Sequence, residues 1–151
     1  MISGTIWNNL VSTLERNPTL KKYVNFVYEG RRFNMEPESL PCIMLEPTRN
    51  SEPERRTNNV DYQFFHVDLF VLSSNNFNEF PKAIVGDQIY KGILNIENDV
   101  RACLKSSYSL GGTVHDIRFE PTVFDVVDID KYPVRGALIP LRILYRQVDG
   151  E

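Results

Sequence analysis

The sequence feature that most constrains the fold is the run from Val60 to Leu72, VDYQFFHVDLFVL. Four apolar residues in it recur at every second position: Phe65, Val67, Leu69 and Val71. The residues between them form a second, mixed face: Tyr62, Phe64, His66, Asp68 and Phe70. Because side chains alternate between the two faces of a strand, this run predicts a long β-strand. One of its faces should be fully buried and the other partly buried.

Two stretches have the spacing of amphipathic helices. Near the N-terminus four residues fall on one helical face: Ile6, Leu10, Val11 and Leu14. Asn17 and Pro18 end this helix, since a residue before proline is pushed out of the helical region. From Pro81 to Ser106 a second stripe predicts one long core helix: Val85, Ile89, Ile93, Ile96, Val100 and Cys103. Gly86 and Gly92 interrupt that stripe, and each disfavours a mid-helix position by about 1 kcal/mol relative to Ala, so they indicate a late start or a close packing contact.

Shorter segments with period-two patterning predict the remaining strands. The first is Val24–Tyr28, before the turn at Gly30, and the second is Leu40–Leu45, with Pro41 near its start and Pro47 just after it. Three more segments follow the turn at 110–112, with the sequences TVHDIRFEP, TVFDVVDID and VRGALIPLRILYRQ. Pro140 within the last segment predicts an edge position or a bulge. The order of elements predicts an α+β fold: an antiparallel or mixed β-sheet with an N-terminal helix and one long core helix packed mainly on one face.

Composition predicts one globular domain spanning residues 1–151, with 42% hydrophobic and 25% charged residues. The net charge of −3 argues against the broad basic field of a nucleic-acid-binding protein. We expect a protein of cytoplasmic origin, because the N-terminal segment lacks a signal-peptide pattern and no run is long and apolar enough to span a membrane. Cys42 and Cys103 lie far apart in apolar runs, which predicts reduced, structural thiols.

Candidate chemistry is sparse. Four potential zinc ligands lack the closely paired spacing of a zinc site: Cys42, His66, Cys103 and His115. Asp125, Asp128 and Asp130, with Lys131 nearby, leave a metal-dependent hydrolase as an alternative, although Lys131 directly follows Asp130 and would point to the opposite side of a strand. We interpret these acids as a solvated strand edge. No nucleophile, phosphate-binding or calcium-loop motif occurs, so we expect no catalytic, metal-binding or cofactor-binding residues and no enzyme.

A polar arm, PTRNSEPERRTNN at residues 47–59, separates two strand-like runs. It is longer than an ordinary hairpin connection. Its mixed charge favours contact with a partner of mixed charge, such as a second copy of the chain, over nucleic acid or membrane. The candidate assembly contacts are its charged residues: Arg49, Glu52, Glu54, Arg55 and Arg56. The alternative is a loop with no partner.

The order of these features carries a family resemblance: an amphipathic N-terminal helix, VNFVYEG, LPCIMLEP, a polar excursion, YQFFHVDLFVL, the helix DQIYKGILNIENDV and the closing strand VRGALIPLRILYRQ. This arrangement resembles the tail-terminator or tail-completion proteins of long-tailed bacteriophages and prophages. The resemblance implies a homo-hexameric ring at the head-proximal end of the tail tube, which terminates tube polymerisation and joins the tube to the head connector.

The resemblance also implies where the chain acts and with what. Its partners would be further copies of itself, the tail-tube protein and the head-completion or connector protein, with DNA passing through the lumen without specific binding. It would be assembled in the host cytoplasm and remain in the virion tail. An adaptor in a related contractile or secretion machine is a further alternative that the sequence leaves open.

Overall fold

A computed structural model describes residues 2–32, 36–50, 54–57, 60–74, 80–87, 90–129 and 132–148. In chain order the helices are α1 (Ile2–Arg16), α2 (Phe80–Val85) and α3 (Ile93–Ser106), with short 3-10 turns at Leu20–Lys22 and Pro37–Ser39. The strands are β1 (Phe26–Glu29), β2 (Cys42–Asn50), β3 (Glu54–Thr57), β4 (Val60–Leu72), β5 (Asp116–Phe119), β6 (Val123–Ile129) and β7 (Tyr132–Val148).

All seven strands belong to one sheet with the order β1-β2-β4-β7-β5. β3 also pairs with β4, and β6 also pairs with β7. The β1–β2 pair is parallel, whereas the other pairs are antiparallel. β2 and β3 therefore follow one another along one side of β4, and β5 and β6 do so along the outer side of β7. The predicted α+β fold with a mixed sheet is confirmed.

The main core lies between one face of the sheet and the helices α1 and α3. The four apolar residues of the predicted first helix are buried there, as are the four alternating apolar residues of β4. A smaller cluster lies on the opposite face: Leu40, Cys42, Met44, Leu72, Ile129 and Val134. No residue of α1, α2 or α3 belongs to this second cluster within the described ranges, so we call this side the open face.

The segment predicted as one long core helix forms two helices, so the prediction of one continuous helix is wrong. The late helix start and the close packing contact that Gly86 and Gly92 indicated are both confirmed. α2 ends at Val85, and Gly86 adopts a left-handed backbone with φ +76°. The chain then returns so closely that a Cβ on Gly92 would lie 2.4 Å from the Gly86 nitrogen. The Gly92 amide donates to Asn95 Oδ1 at 3.0 Å, which helps to start α3. Val85 is 60% exposed and is not part of the core stripe.

Pro140 occupies neither an edge strand nor a bulge, because β7 has neighbours on both sides. Its carbonyl accepts a hydrogen bond from Glu120 N at 3.0 Å, so its nitrogen faces the same side of β7. On that side β5 ends opposite Leu141 and β6 begins opposite Leu138. The missing N–H of proline therefore points at the gap between two short strands.

The return at Gly86 makes a quantitative prediction. Gly86 and Gly111 have similar φ values of +76° and +73°. A Cβ added at Gly86 would lie 2.6 Å from Asn95 Oδ1, whereas a Cβ added at Gly111 would have nothing within 4 Å. Gly111→Ala should therefore cost about 1–2 kcal/mol for the left-handed backbone alone. Gly86→Ala should cost roughly 1–3 kcal/mol more for the overlap. Urea unfolding of both variants measures the difference, and equal losses would contradict the close return.

Candidate assembly surface

The polar arm, wherever it is described, is the outer end of a long antiparallel ribbon. β2 continues through the arm to Asn50, where it pairs with Phe65, and β3 pairs with the first residues of β4. The interpretation of residues 47–59 as an arm between separate strands is therefore wrong for 47–50 and 54–57. Polar residues can keep strand geometry where pairing with β4 satisfies their backbone groups.

Two register shifts allow this polar strand to follow β4. One lies between Pro47 and Arg49, and the other between Arg55 and Thr57. At the first shift the hydroxyl of Thr48 donates to the carbonyl of His66 at 3.1 Å. Bulges of this kind add an unpaired residue and increase the local twist of the ribbon.

The ribbon brings most of the candidate contact residues together. Arg49 is exposed on β2 opposite His66. Glu54 and Arg55 pair with the start of β4, and Arg56 lies at the second register shift. Glu52 lies outside the described residues. Four of the five candidate residues therefore lie on the same side of β4, on β2 and β3.

A cleft of about 350 Å³ lies on the open face. Its lining includes apolar side chains from the four strands β2, β4, β6 and β7: Met44, Phe70, Leu72, Val123, Val127, Ile129 and Leu138. Arg31 and Arg32 line it after β1, and the Asp125 side chain lines it from β6. The cleft thus combines an apolar interior with groups of both charge signs.

The two arginines of the cleft are held against aromatic rings of the sheet. The Arg31 guanidinium lies 4.3 Å from the centre of the Phe70 ring, and that of Arg32 lies 4.2 Å from the centre of the Tyr28 ring. The Arg31 amide also donates to the Glu46 carboxylate at 2.9 Å. Sequence reasoning missed this pair. The only available signal was two basic residues directly after the turn at Gly30, which by themselves indicate no particular partner.

β6 is the most exposed strand of the sheet whose side chains are described. Six of its seven residues are exposed, and only Ile129 is buried. Four of the six are large apolar residues with exposures between 40% and 58%: Val123, Phe124, Val126 and Val127. The sequence predicted a solvated strand edge here from the acids alone. The structure confirms the exposed edge and adds exposed apolar residues on both of its faces, Val123 and Val127 on one and Phe124 and Val126 on the other.

The acidic cluster does not form a metal site in the part of the chain that is described. Asp125 and Asp128 are an odd number of residues apart on β6, so their side chains leave opposite faces. No group of three His, Cys, Asp or Glu that could hold a metal occurs among the described residues. Asp130 and Lys131 lie outside them.

The four residues considered for zinc are also separated. Cys42 belongs to the cluster on the open face, and Cys103 lies in the core beneath the helices, so the sheet separates the two sulfurs. His115 lies with its ring edge against Tyr62, at 5.9 Å between centres. Both cysteines are buried and neither forms a disulfide bond, in agreement with a structural role for their side chains.

No family model matches the chain, and no curated protein is significantly similar to it. None of the helices in the described ranges is long and apolar enough to cross a membrane. The surface features that indicate a function are the ribbon, the cleft and the exposed β6 strand.

The burial of Cys42 and Cys103 predicts how their thiols react with a reagent in solution. Burial raises the pKa of the Cys42 thiol to about 12 and that of Cys103 to about 11, which leaves little reactive thiolate near neutral pH. A chromogenic disulfide reagent should react with neither thiol in the native protein and with both in denaturant. Rapid native reaction of Cys42 would show that the open face is less tightly packed than described.

His66 predicts a pH dependence of stability. Burial first, and then the nearby charges of Arg49 and Arg142, lower the pKa of this imidazole below 6.5. Because the folded protein disfavours the imidazolium, stability present at neutral pH is lost as the pH falls below about 6.5. His66→Gln should make the free energy of unfolding fall less steeply between neutral and mildly acidic pH. His115→Gln is the control for loss of an imidazole, and an unchanged slope in His66→Gln would contradict the prediction.

Proposed function

We propose that this chain is a ring-forming assembly protein of the tail-terminator type. In this proposal a homo-hexameric ring closes the head-proximal end of a phage tail tube, terminates tube polymerisation and joins the tube to the head connector. The hexamer and the two partners are implied by the family resemblance of the element order. The observation that carries the proposal is the exposed β6 strand, because a row of exposed apolar residues on an edge strand is characteristic of a protein–protein contact.

A closed ring requires heterologous contacts, in which each subunit presents two different patches. The described surface offers two such patches. One is the charged ribbon of β2 and β3, and the other is the apolar and acidic β6 strand with its neighbouring cleft. Because they belong to opposite sides of the β4–β7 pair, they suit head-to-tail association better than a two-fold dimer.

The overall charge is compatible with a ring around DNA. A chain with net charge −3 lacks a strong basic field that would hold phosphates and retard passage. DNA is therefore a passing occupant of the lumen in this proposal and not a specific ligand.

The ring is tested by native mass spectrometry and sedimentation velocity, with and without purified tail tubes. The expected result is a single closed species of six copies, formed alone or on the tube end, together with arrest of tube growth. A strict monomer that neither binds tubes nor limits their length would contradict the proposal. Neighbouring genes for tube, tape-measure and head-completion proteins would distinguish a phage tail from a related contractile or secretion machine.

The polar ribbon should contribute to assembly and little to stability. We expect that replacing its five charged residues by Ser changes the free energy of unfolding by less than about 1 kcal/mol, because surface substitutions are usually small. Ring formation should weaken clearly in the same variant. The five positions are Arg49, Glu52, Glu54, Arg55 and Arg56.

A matched control has the same balance of three bases and two acids on exposed residues elsewhere. Its five Ser substitutions are at Glu15, Arg16, Lys21, Lys22 and Glu38. The control should assemble as the unmodified chain does. Loss of folding in the ribbon variant would show instead that the ribbon supports the core.

A further inference from the structure

We infer that β6 of one copy pairs with β3 of the next copy, so that the sheet continues across each subunit boundary. This inference rests on the proposed ring and names the two strands that would close it. It commits to a second copy of this chain as the occupant of the β6 edge.

Within the described ranges β6 pairs with a strand, β7, on one side of its backbone only. On β7 the carbonyls of Pro140 and Leu144 face outward, toward Glu120 and His115, whereas that of Arg135 faces Ser73 on the other side. By this alternation, β7 residues of even number direct their backbone groups toward β6. Their partners on β6 are the odd-numbered residues that start at Val123.

The even-numbered residues of β6 therefore direct their N–H and C=O groups away from β7. These are Phe124, Val126 and Asp128. The Val126 amide donates to the Asp125 carboxylate of its own strand at 2.7 Å. An incoming strand can replace that local bond and release the carboxylate for a new partner. Such an edge accepts an extended segment by strand addition.

β3 offers a second edge of suitable length. In the described residues it pairs with β4 on one side only, through the register Glu54–Tyr62 to Thr57–Val60. β3 and β6 flank opposite sides of the β4–β7 pair. Pairing them in successive copies therefore uses each edge once per subunit, as a closed ring requires.

The charges favour this pairing over the alternatives. β6 has the sequence VFDVVDI, with two acids and no base, whereas β3 has the sequence ERRT, with two bases and one acid. Opposite charges in facing strands stabilise a pair, whereas like charges directly opposite destabilise it. Pairing β6 with β6, or β3 with β3, would bring like charges together. Pairing β6 with β3 avoids both of these like-charge contacts.

The same pairing also accounts for the exposed apolar surface of β6. Arginine side chains cover apolar groups with their aliphatic stems while the charged heads remain hydrated. A neighbouring strand with two adjacent arginines can therefore shield Phe124 and Val126 and bind Asp125 or Asp128. This combination explains why one strand carries both acids and large apolar residues.

Two charge-reversed variants of the full chain provide the test. One variant carries Asp125→Lys and Asp128→Lys in β6, and the other carries Arg55→Glu and Arg56→Glu in β3. Each alone should assemble at least about tenfold more weakly than the unmodified chain, because each contact then faces like charges. Thermal unfolding checks that both remain folded, and Asn and Gln replacements at these positions serve if a reversal unfolds the chain.

Mixing the two variants is the decisive experiment. In an alternating ring Lys of β6 faces Glu of β3 at one contact, and Asp faces Arg at the next, so every contact is again attractive. Native mass spectrometry should show rings that contain equal numbers of the two variants, with affinity restored to within about threefold. A Glu15→Lys, Glu38→Lys variant, which changes the same charge away from β3 and β6, should assemble alone and should not rescue the β3 variant.

The outcomes separate the two proposals. If the unmodified chain forms rings but the reversals do not weaken them, or mixing fails to restore them, the β3–β6 pairing is wrong and the ring stands. If the neutral replacements are used, assembly equal to that of the unmodified chain likewise overturns the pairing. If the unmodified chain forms no ring, alone or on tubes, both proposals fall.

Discussion

The β4–β7 ladder is the interaction on which the rest of this structure depends. It joins the two strands in one uninterrupted register from the Val60–Val148 pair to the Leu72–Gly136 pair. Four other strands pair with these two, β2 and β3 beside β4 and β5 and β6 beside β7, and β1 pairs with β2. The helices α1 and α3 cover one face of the same strands. The same two strands therefore support the core at the centre of the sheet and hold β3 and β6 at its two sides.

The core and the exposed strand β6 occupy different parts of the sheet. A chain of 151 residues can therefore expose the apolar residues of β6 and still bury a core. The buried residues concentrate on one face of the sheet, where alternating positions of β4 and β7 meet two helices. Among the described residues the cluster on the open face is smaller, and the half-buried rings of Tyr28 and Phe70 pack against it.

Much of the fold follows from local patterning. The alternation in β4 and the helical stripe of α1 each depend on one simple geometric period, and both predicted the buried residues correctly. The second helix was misread because its apolar residues keep helical spacing across the break at Gly86. A positive φ and a close chain return leave no trace in that spacing. The two glycines indicated the late start of α3 and the close contact, but they did not predict the separate short helix before Gly86.

The candidate site was less predictable for a similar reason. Charge and turn-forming residues indicated a loop at 47–59, but pairing with β4 imposes strand geometry on the described part of it. The contacts of Arg31 and Arg32 with aromatic rings join residues distant in sequence, so no local pattern reveals them. The acids of β6 were recognised from the sequence. Their place on a free edge depends on β7, which follows them in the chain.

The gap at Pro140 divides the outer side of β7 into two regions with different constraints. Beyond it, β5 contributes the buried Ile117 to the core, so substitutions there are limited by packing. Before it, β6 contributes one buried residue and leaves the others in solvent. Because proline offers no amide to connect the two regions, a strand bound to β6 need not disturb β5. Most of the β6 sequence can therefore change while the core is retained.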